Sequence, residues 1–223
     1  MKLLLTSGGV TNASIRESLI GMLGKPIAES TALFIPTAQW GQPACSPETV
    51  WRSTAGRWDD DPGLVDLGWR SVGVLELTAL PSLADERWMP WVREADVLLV
   101  DGGEARYLYT WMQQSGLAAL LDELRDTVWV GVSAGSMVLT PRVGREFLDW
   151  QPDGADDTLG LTDFSIFPHL DYPGWSANTL EAAHRWAERI PGRSYAIDDQ
   201  TAISVVDGSV EVISEGHWEQ FDR

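Results

Sequence analysis

The chain has 223 residues, 44% of them hydrophobic, and its 33 acidic against 16 basic side chains give a formal charge of -17. That apolar content fills the core of one ordinary domain without a disulfide or a structural metal, and the single cysteine, Cys45, excludes an intrachain bridge and a cysteine-rich metal site. The negative field opposes nucleic acid and anionic lipid, and no run of ~18 apolar residues marks a membrane-spanning helix.

The start, Leu3-Leu4-Leu5, is too short for a signal-peptide core and reads as a first buried strand closed by Ser7-Gly8-Gly9. Ser14 to Leu23 has helical spacing, and Thr31 to Ile35 is a second buried strand stopped by Pro36. A stretch with Gly41, Pro43, Pro47, Gly56, Asp59, Asp60, Asp61 and Pro62 is expected to be irregular around one helix near Glu48 to Trp58. A third strand at Arg70 to Leu77 and a short helix at Leu83 to Val92 follow. Ala95 to Val100 is the clearest strand and runs into Asp101-Gly102-Gly103-Glu104, with helical spacing beyond it. Thr127 to Val132 is another apolar strand, leading into Ser133-Ala134-Gly135-Ser136. Later come a short strand at Phe164 to Phe167, a helix near Asn178 to Arg189 and a strand at Ser194 to Ile197. A hairpin turning at Asp207-Gly208 closes the series.

Near-continuous apolar strands between helices predict a mostly parallel sheet covered on both faces, a three-layer α/β sandwich. Residues 1–223 are expected to form one such domain with a C-terminal β-hairpin, cytoplasmic and either monomeric or homodimeric. Ligands of such sheets bind beyond the carboxyl ends of the strands, where both glycine-rich turns fall.

Gly131-Val132-Ser133-Ala134-Gly135 matches the G-x-S-x-G elbow, which exposes a hydroxyl on a tight strand-to-helix turn with small neighbours. The same segment also suits a serine N-cap on an ordinary βα turn, and Ser136 is a competing hydroxyl. A serine nucleophile needs a base, and His169, following a short strand and Pro168, is better placed than His184 or His217. The orienting carboxylate is open among Asp149, Asp153, Asp156, Asp157, Asp163, Asp171, Asp198 and Asp199. Asp171 shares a face with His169 if the strand continues. Gly102-Gly103 offers a second oxyanion donor, and no phosphate-loop or dinucleotide pattern is complete. Most of the 12 tryptophans read as packing, with Trp175 the one to watch beside His169.

The order Gly102-Gly103, then Ser133-Ala134-Gly135, then Phe167-Pro168-His169, then Ile197-Asp198-Asp199-Gln200-Thr201 resembles peptidase family S51, which includes dipeptidase E and the cyanophycinases. The resemblance implies a class I glutamine amidotransferase-like α/β fold and a serine peptidase acting on short peptides without metal or organic cofactor. It implies Ser133 as nucleophile, His169 as base, and the backbone N–H groups of Gly103 and Ala134 as oxyanion donors. Asp149 is the nearest equivalent of the third catalytic residue, with Asp199 in reserve. Glu104 is a candidate for binding the substrate's amino group. The arginine that binds an N-terminal aspartate in dipeptidase E is matched here by Leu180 of Thr179-Leu180, so no strong Asp-X preference is expected unless Arg185 reaches the pocket. An esterase or amidase using the same serine, or a non-catalytic small-ligand binder, are the rival readings.

Overall fold

The computed structural model describes residues 1–55, 57–58 and 61–222. The irregularity expected at Gly56, Asp59 and Asp60 lies outside them. In chain order the elements are β1 (Lys2–Thr6), α1 (Ala13–Leu23), β2 (Thr31–Ile35), α2 (Pro47–Thr54), β3 (Arg57–Trp58), β4 (Asp61–Pro62), β5 (Ser71–Val74) and α3 (Asp85–Arg93). There follow β6 (Val97–Val100), α4 (Ala105–Ser115), α5 (Leu117–Leu120), β7 (Val128–Val132), α6 (Ala134–Met137) and β8 (Phe164–Phe167). The last are α7 (Leu180–Ala187), β9 (Arg193–Ile197), β10 (Thr201–Val206), β11 (Ser209–Ser214) and β12 (Trp218–Phe221).

The main sheet has seven strands in the order β11-β10-β1-β7-β6-β2-β5. Five are mutually parallel, from β1 to β5, and the β10–β11 hairpin adds antiparallel beside β1. Side-chain alternation splits the core into two layers. Leu3, Leu5, Leu98, Val100 and Trp129 pack with Trp88, Leu108 and Met112 of α3 and α4 on one face. Leu4, Leu99, Val128 and Val130 pack with Ile15, Leu19 and Met22 of α1 on the other. Each such fully buried side chain contributes about 1.5–3 kcal/mol. The result is a three-layer α/β sandwich.

Helix ends are set locally. Asn12 caps α1 by accepting the Ile15 N–H at 3.0 Å, and Gly24 closes it in the left-handed conformation. The hairpin turn uses Asp207 and Gly208 at φ 51° and 78°, the signs that a type I′ connection needs.

A second sheet, β12-β9-β8, is not foreshadowed in the sequence pattern. β8 and β9 run parallel, with Phe167 opposite Ala196, and α7 covers them through Ala183, Trp186 and Ala187. The chain therefore continues past the hairpin, and β12 pairs antiparallel with β9 rather than extending the main sheet.

Candidate functional site

Ser133 follows β7 directly and sits at φ 48°, ψ -110°, an unfavourable conformation for a residue with a side chain. Such a residue stores about 1–3 kcal/mol and persists because its surroundings over-determine it. Its N–H donates to Thr6 O at 3.0 Å, and its carbonyl accepts the Ser136 and Met137 N–H groups, both at 2.9 Å. Gly135 is required because a Cβ there would press on the Val100 backbone, 2.8 Å from the carbonyl carbon. The Ser133 side chain makes no capping bond, so the N-cap alternative loses its hydrogen bond. Ser136 is removed as a competitor, since it is buried and its hydroxyl donates to Thr6 O at 2.8 Å.

On the neighbouring strand end, Gly103 sits at φ 140° with its Cα against the Ala38 backbone, a position only glycine fits. The Gly102 N–H is occupied by Asp101 Oδ1 at 2.8 Å. Among the described residues neither the Gly103 nor the Ala134 N–H donates to a protein acceptor. Both are thus free beside Ser133, which lines the same two cavities as Gly103.

His169 lies just past β8 and Asp199 just past β9, so parallel pairing of the two strands brings them together. His169 Nδ1 meets Asp199 Oδ1 at 2.7 Å. The histidine backbone is held as well, its N–H donating to Ser7 Oγ while the residue adopts φ 54°. Its Nε2 is buried and has no partner among the described residues, although the ring lines both cavities. The edge of Trp175 packs on the imidazole with ring centroids 4.2 Å apart, and Trp175 is itself 47% exposed.

Three sequence expectations need correction on geometry. Asp149 is exposed on the rim of the second cavity and makes no bond to His169, whose Nδ1 is taken by Asp199. Asp171 does not share a strand face with His169, because β8 ends at Phe167. Instead its carboxylate accepts the Leu180 N–H at 3.2 Å, at the start of α7. Glu104 is no free amino-group acceptor: it is 1% exposed and caps α4, accepting the Tyr107 N–H. Burial raises its pKa above the ordinary value, against the pull of the Tyr107, Trp150 and Asp149 amides, and its Oε1 has no hydrogen bond of good geometry. Arg185 pairs with Glu181 on the exposed side of α7 and lines neither cavity.

Two cavities of about 470 and 350 Å³ meet at Ser133, Gly103 and His169. No lysine or arginine lines either one among the described residues. The larger is bordered by Asp101, to which the sequence alone assigns no role. Its carboxylate accepts from Ser53 Oγ, Gln39 Nε2 and the Gly102 N–H. Burial raises the Asp101 pKa and outweighs these donors, which favour the charged form. Among the described residues no cluster of three or more His, Cys, Asp or Glu side chains is arranged to hold a metal, and no helix is long and apolar enough to cross a membrane.

Fold and strand-end cavities together define an α/β sandwich of the class I glutamine amidotransferase type. The model of peptidase family S51 matches residues 3–213, and the chain belongs to that family of peptidases. Among solved structures, a putative peptidase E protein from Listeria monocytogenes EGD-e is 20% identical with a TM-score of 0.70, over 96% of this chain and 98% of that one. A peptidase from an acI-B1 Actinobacterium is also 20% identical, with a TM-score of 0.64 over 99% and 93% of the two chains. At that identity the likeness concerns the fold. No curated protein matches the chain.

Proposed function

We propose that the chain is a serine peptidase hydrolysing short peptides through an acyl-enzyme, with Ser133 as nucleophile, His169 as general base and Asp199 as the carboxylate that orients it. The observation that carries this reading is the histidine's two-sided environment. Asp199 accepts from Nδ1–H at 2.7 Å, which leaves the lone pair on Nε2, the buried nitrogen without a partner. A free, buried, basic nitrogen lining the same cavities as an elbow serine is what proton abstraction requires.

In the proposed cycle Ser133 Oγ attacks the scissile carbonyl carbon while its proton passes to His169 Nε2. Negative charge on the carbonyl oxygen falls to the Gly103 and Ala134 N–H groups, which are free of protein acceptors. As the C–N bond breaks, the imidazolium returns its proton to the departing amine. A water molecule, deprotonated by Nε2, then cleaves the serine ester and restores the hydroxyl. Two adjoining cavities that share Ser133, Gly103 and His169 give room for more than one residue of a substrate, which favours a peptide over a small ester. Absence of a lining arginine or lysine among the described residues argues against strong Asp-X selectivity, because a desolvated carboxylate needs a cation.

Intact-mass measurement after exposure to a fluorophosphonate tests the nucleophile. The wild-type protein is expected to gain one adduct and Ser133→Ala none. Equal labelling of both would remove Ser133 from the reading.

A further inference from the structure

Resting on the serine-peptidase reading, we propose that the larger cavity takes a lysine or arginine side chain of the residue contributing the scissile carbonyl, with its cationic end on Asp101. Asp101 is a carboxylate on the cavity wall that has no ion-pair partner among the described residues. Three neutral donors hold it: Ser53 and Gln39 on Oδ2, and the Gly102 N–H on Oδ1. These fix its orientation and leave acceptor capacity on Oδ1. Burial penalises the charged form of a carboxylate held only by neutral donors, and a cation entering the cavity offsets that penalty.

Position and lining agree with this assignment. Asp101 directly precedes Gly102, a Cβ on which would lie 3.6 Å from Ser133 Cβ, and both Asp101 and Ser133 line the larger cavity. Phe34, Leu64 and Val132 border the same cavity and suit an aliphatic stem, as long cationic side chains lay their methylenes along apolar surface. His169, whose Nε2 is buried and without a partner among the described residues, lines the same cavity as Asp101 and Ser133. No lining lysine or arginine among the described residues competes for Asp101, and a net charge of -17 draws cationic peptides toward the surface.

The test compares Lys-Ala with norleucine-Ala, which has a similar stem but no ammonium, and with acetyllysine-Ala and Asp-Ala. Wild-type kcat/KM for Lys-Ala is expected to exceed that for norleucine-Ala by about tenfold to a hundredfold, the span of one hydrogen bond to a charged group. Acetyllysine-Ala should lose the advantage, and Asp-Ala should be the poorest of the four. In Asp101→Asn the Lys-to-norleucine ratio should collapse toward one whatever the absolute rates. If that variant fails to fold, the acetyllysine comparison in the wild-type protein decides alone. Norleucine-Ala at or above Lys-Ala, in a protein whose Ser133 still takes the fluorophosphonate, overturns the cation subsite and leaves the serine reading intact. Neither labelling nor hydrolysis of any peptide overturns both.

Discussion

The main sheet and the small sheet contribute to the site in different ways. At the end of β7, Ser133 is held by contacts to adjacent strands and its own following turn: Thr6 O, the Ser136 and Met137 N–H groups, and Gly135 against Val100. His169 and Asp199 stand 30 residues apart on the ends of β8 and β9 and meet only because those strands pair in parallel. The proposed nucleophile is thus built by a local rule of strand, tight turn and helix, whereas the proposed base and its carboxylate are assembled by tertiary pairing. Changes that disturb the packing of the first region's turn should distort the fold as well as the chemistry. Damage to the second should reach the chemistry while sparing the main core.

Ser133→Ala has the largest expected effect on turnover and one of the smallest on stability. Hydrolysis should fall by about 10⁴- to 10⁶-fold, as for other hydrolytic serines. The Ser133 side chain makes no capping bond, so its removal strands no partner, and the melting temperature should stay close to wild type. Residual activity within tenfold of wild type (roughly 1.4 kcal/mol of barrier) would mean the elbow does not supply the nucleophile.

Gly135→Ala is the structural counterpart in the same turn. The new Cβ meets the backbone of Val100 and lies 3.0 Å from Asp101 O, and neither is the movable end of a flexible side chain. Overpacking of this kind costs about 1–3 kcal/mol. Urea unfolding should show a lower midpoint, and the distorted elbow should lose activity alongside. An unchanged midpoint would show that the turn is more pliable than its contacts indicate.

The smallest effect is expected at Glu104, buried directly after the Gly102-Gly103 turn. Burial raises its folded pKa above the unfolded value of 4.5, so the folded state holds its proton more tightly. The stability this contributes is complete below the unfolded pKa and is lost as pH rises through the folded one. Measured against Glu104→Gln, the wild-type melting temperature should therefore decline as pH is raised from 4 toward neutrality. A pH-independent difference between the two proteins would show that burial does not set the titration of this group.

Much of this architecture is legible in the sequence, for identifiable reasons. Continuous apolar runs such as Ala95 to Val100 and Thr127 to Val132 fix their strands, and the glycine turns after them locate the cavities. Ser133 and His169 were both singled out from the elbow pattern and from the strand before Pro168. The proposed third carboxylate is not legible in the sequence, because the Asp199–His169 contact depends on β8–β9 pairing and this acidic chain offers many candidates in nearby loops. The resemblance to dipeptidase E points to Asp149, which lines the second cavity, while Asp199 follows β9, a strand beyond α7. Asp101 is equally hidden in the sequence, since its partners Gln39 and Ser53 come from segments well before it and only the folded chain shows this residue bordering the cavity.

The central claim is that the small sheet, rather than the loop after α6, provides the carboxylate that orients the base. Matched kcat measurements on Asp199→Asn and Asp149→Asn test it most directly, with folding checked by thermal melts. Loss of the 2.7 Å contact to Nδ1 should leave His169 in the wrong tautomer or orientation, lowering kcat by about 10²- to 10⁴-fold in Asp199→Asn. Asp149→Asn should turn over near the wild-type rate. A folded Asp199→Asn enzyme with normal kcat, beside an inactive Asp149→Asn enzyme, would contradict the account.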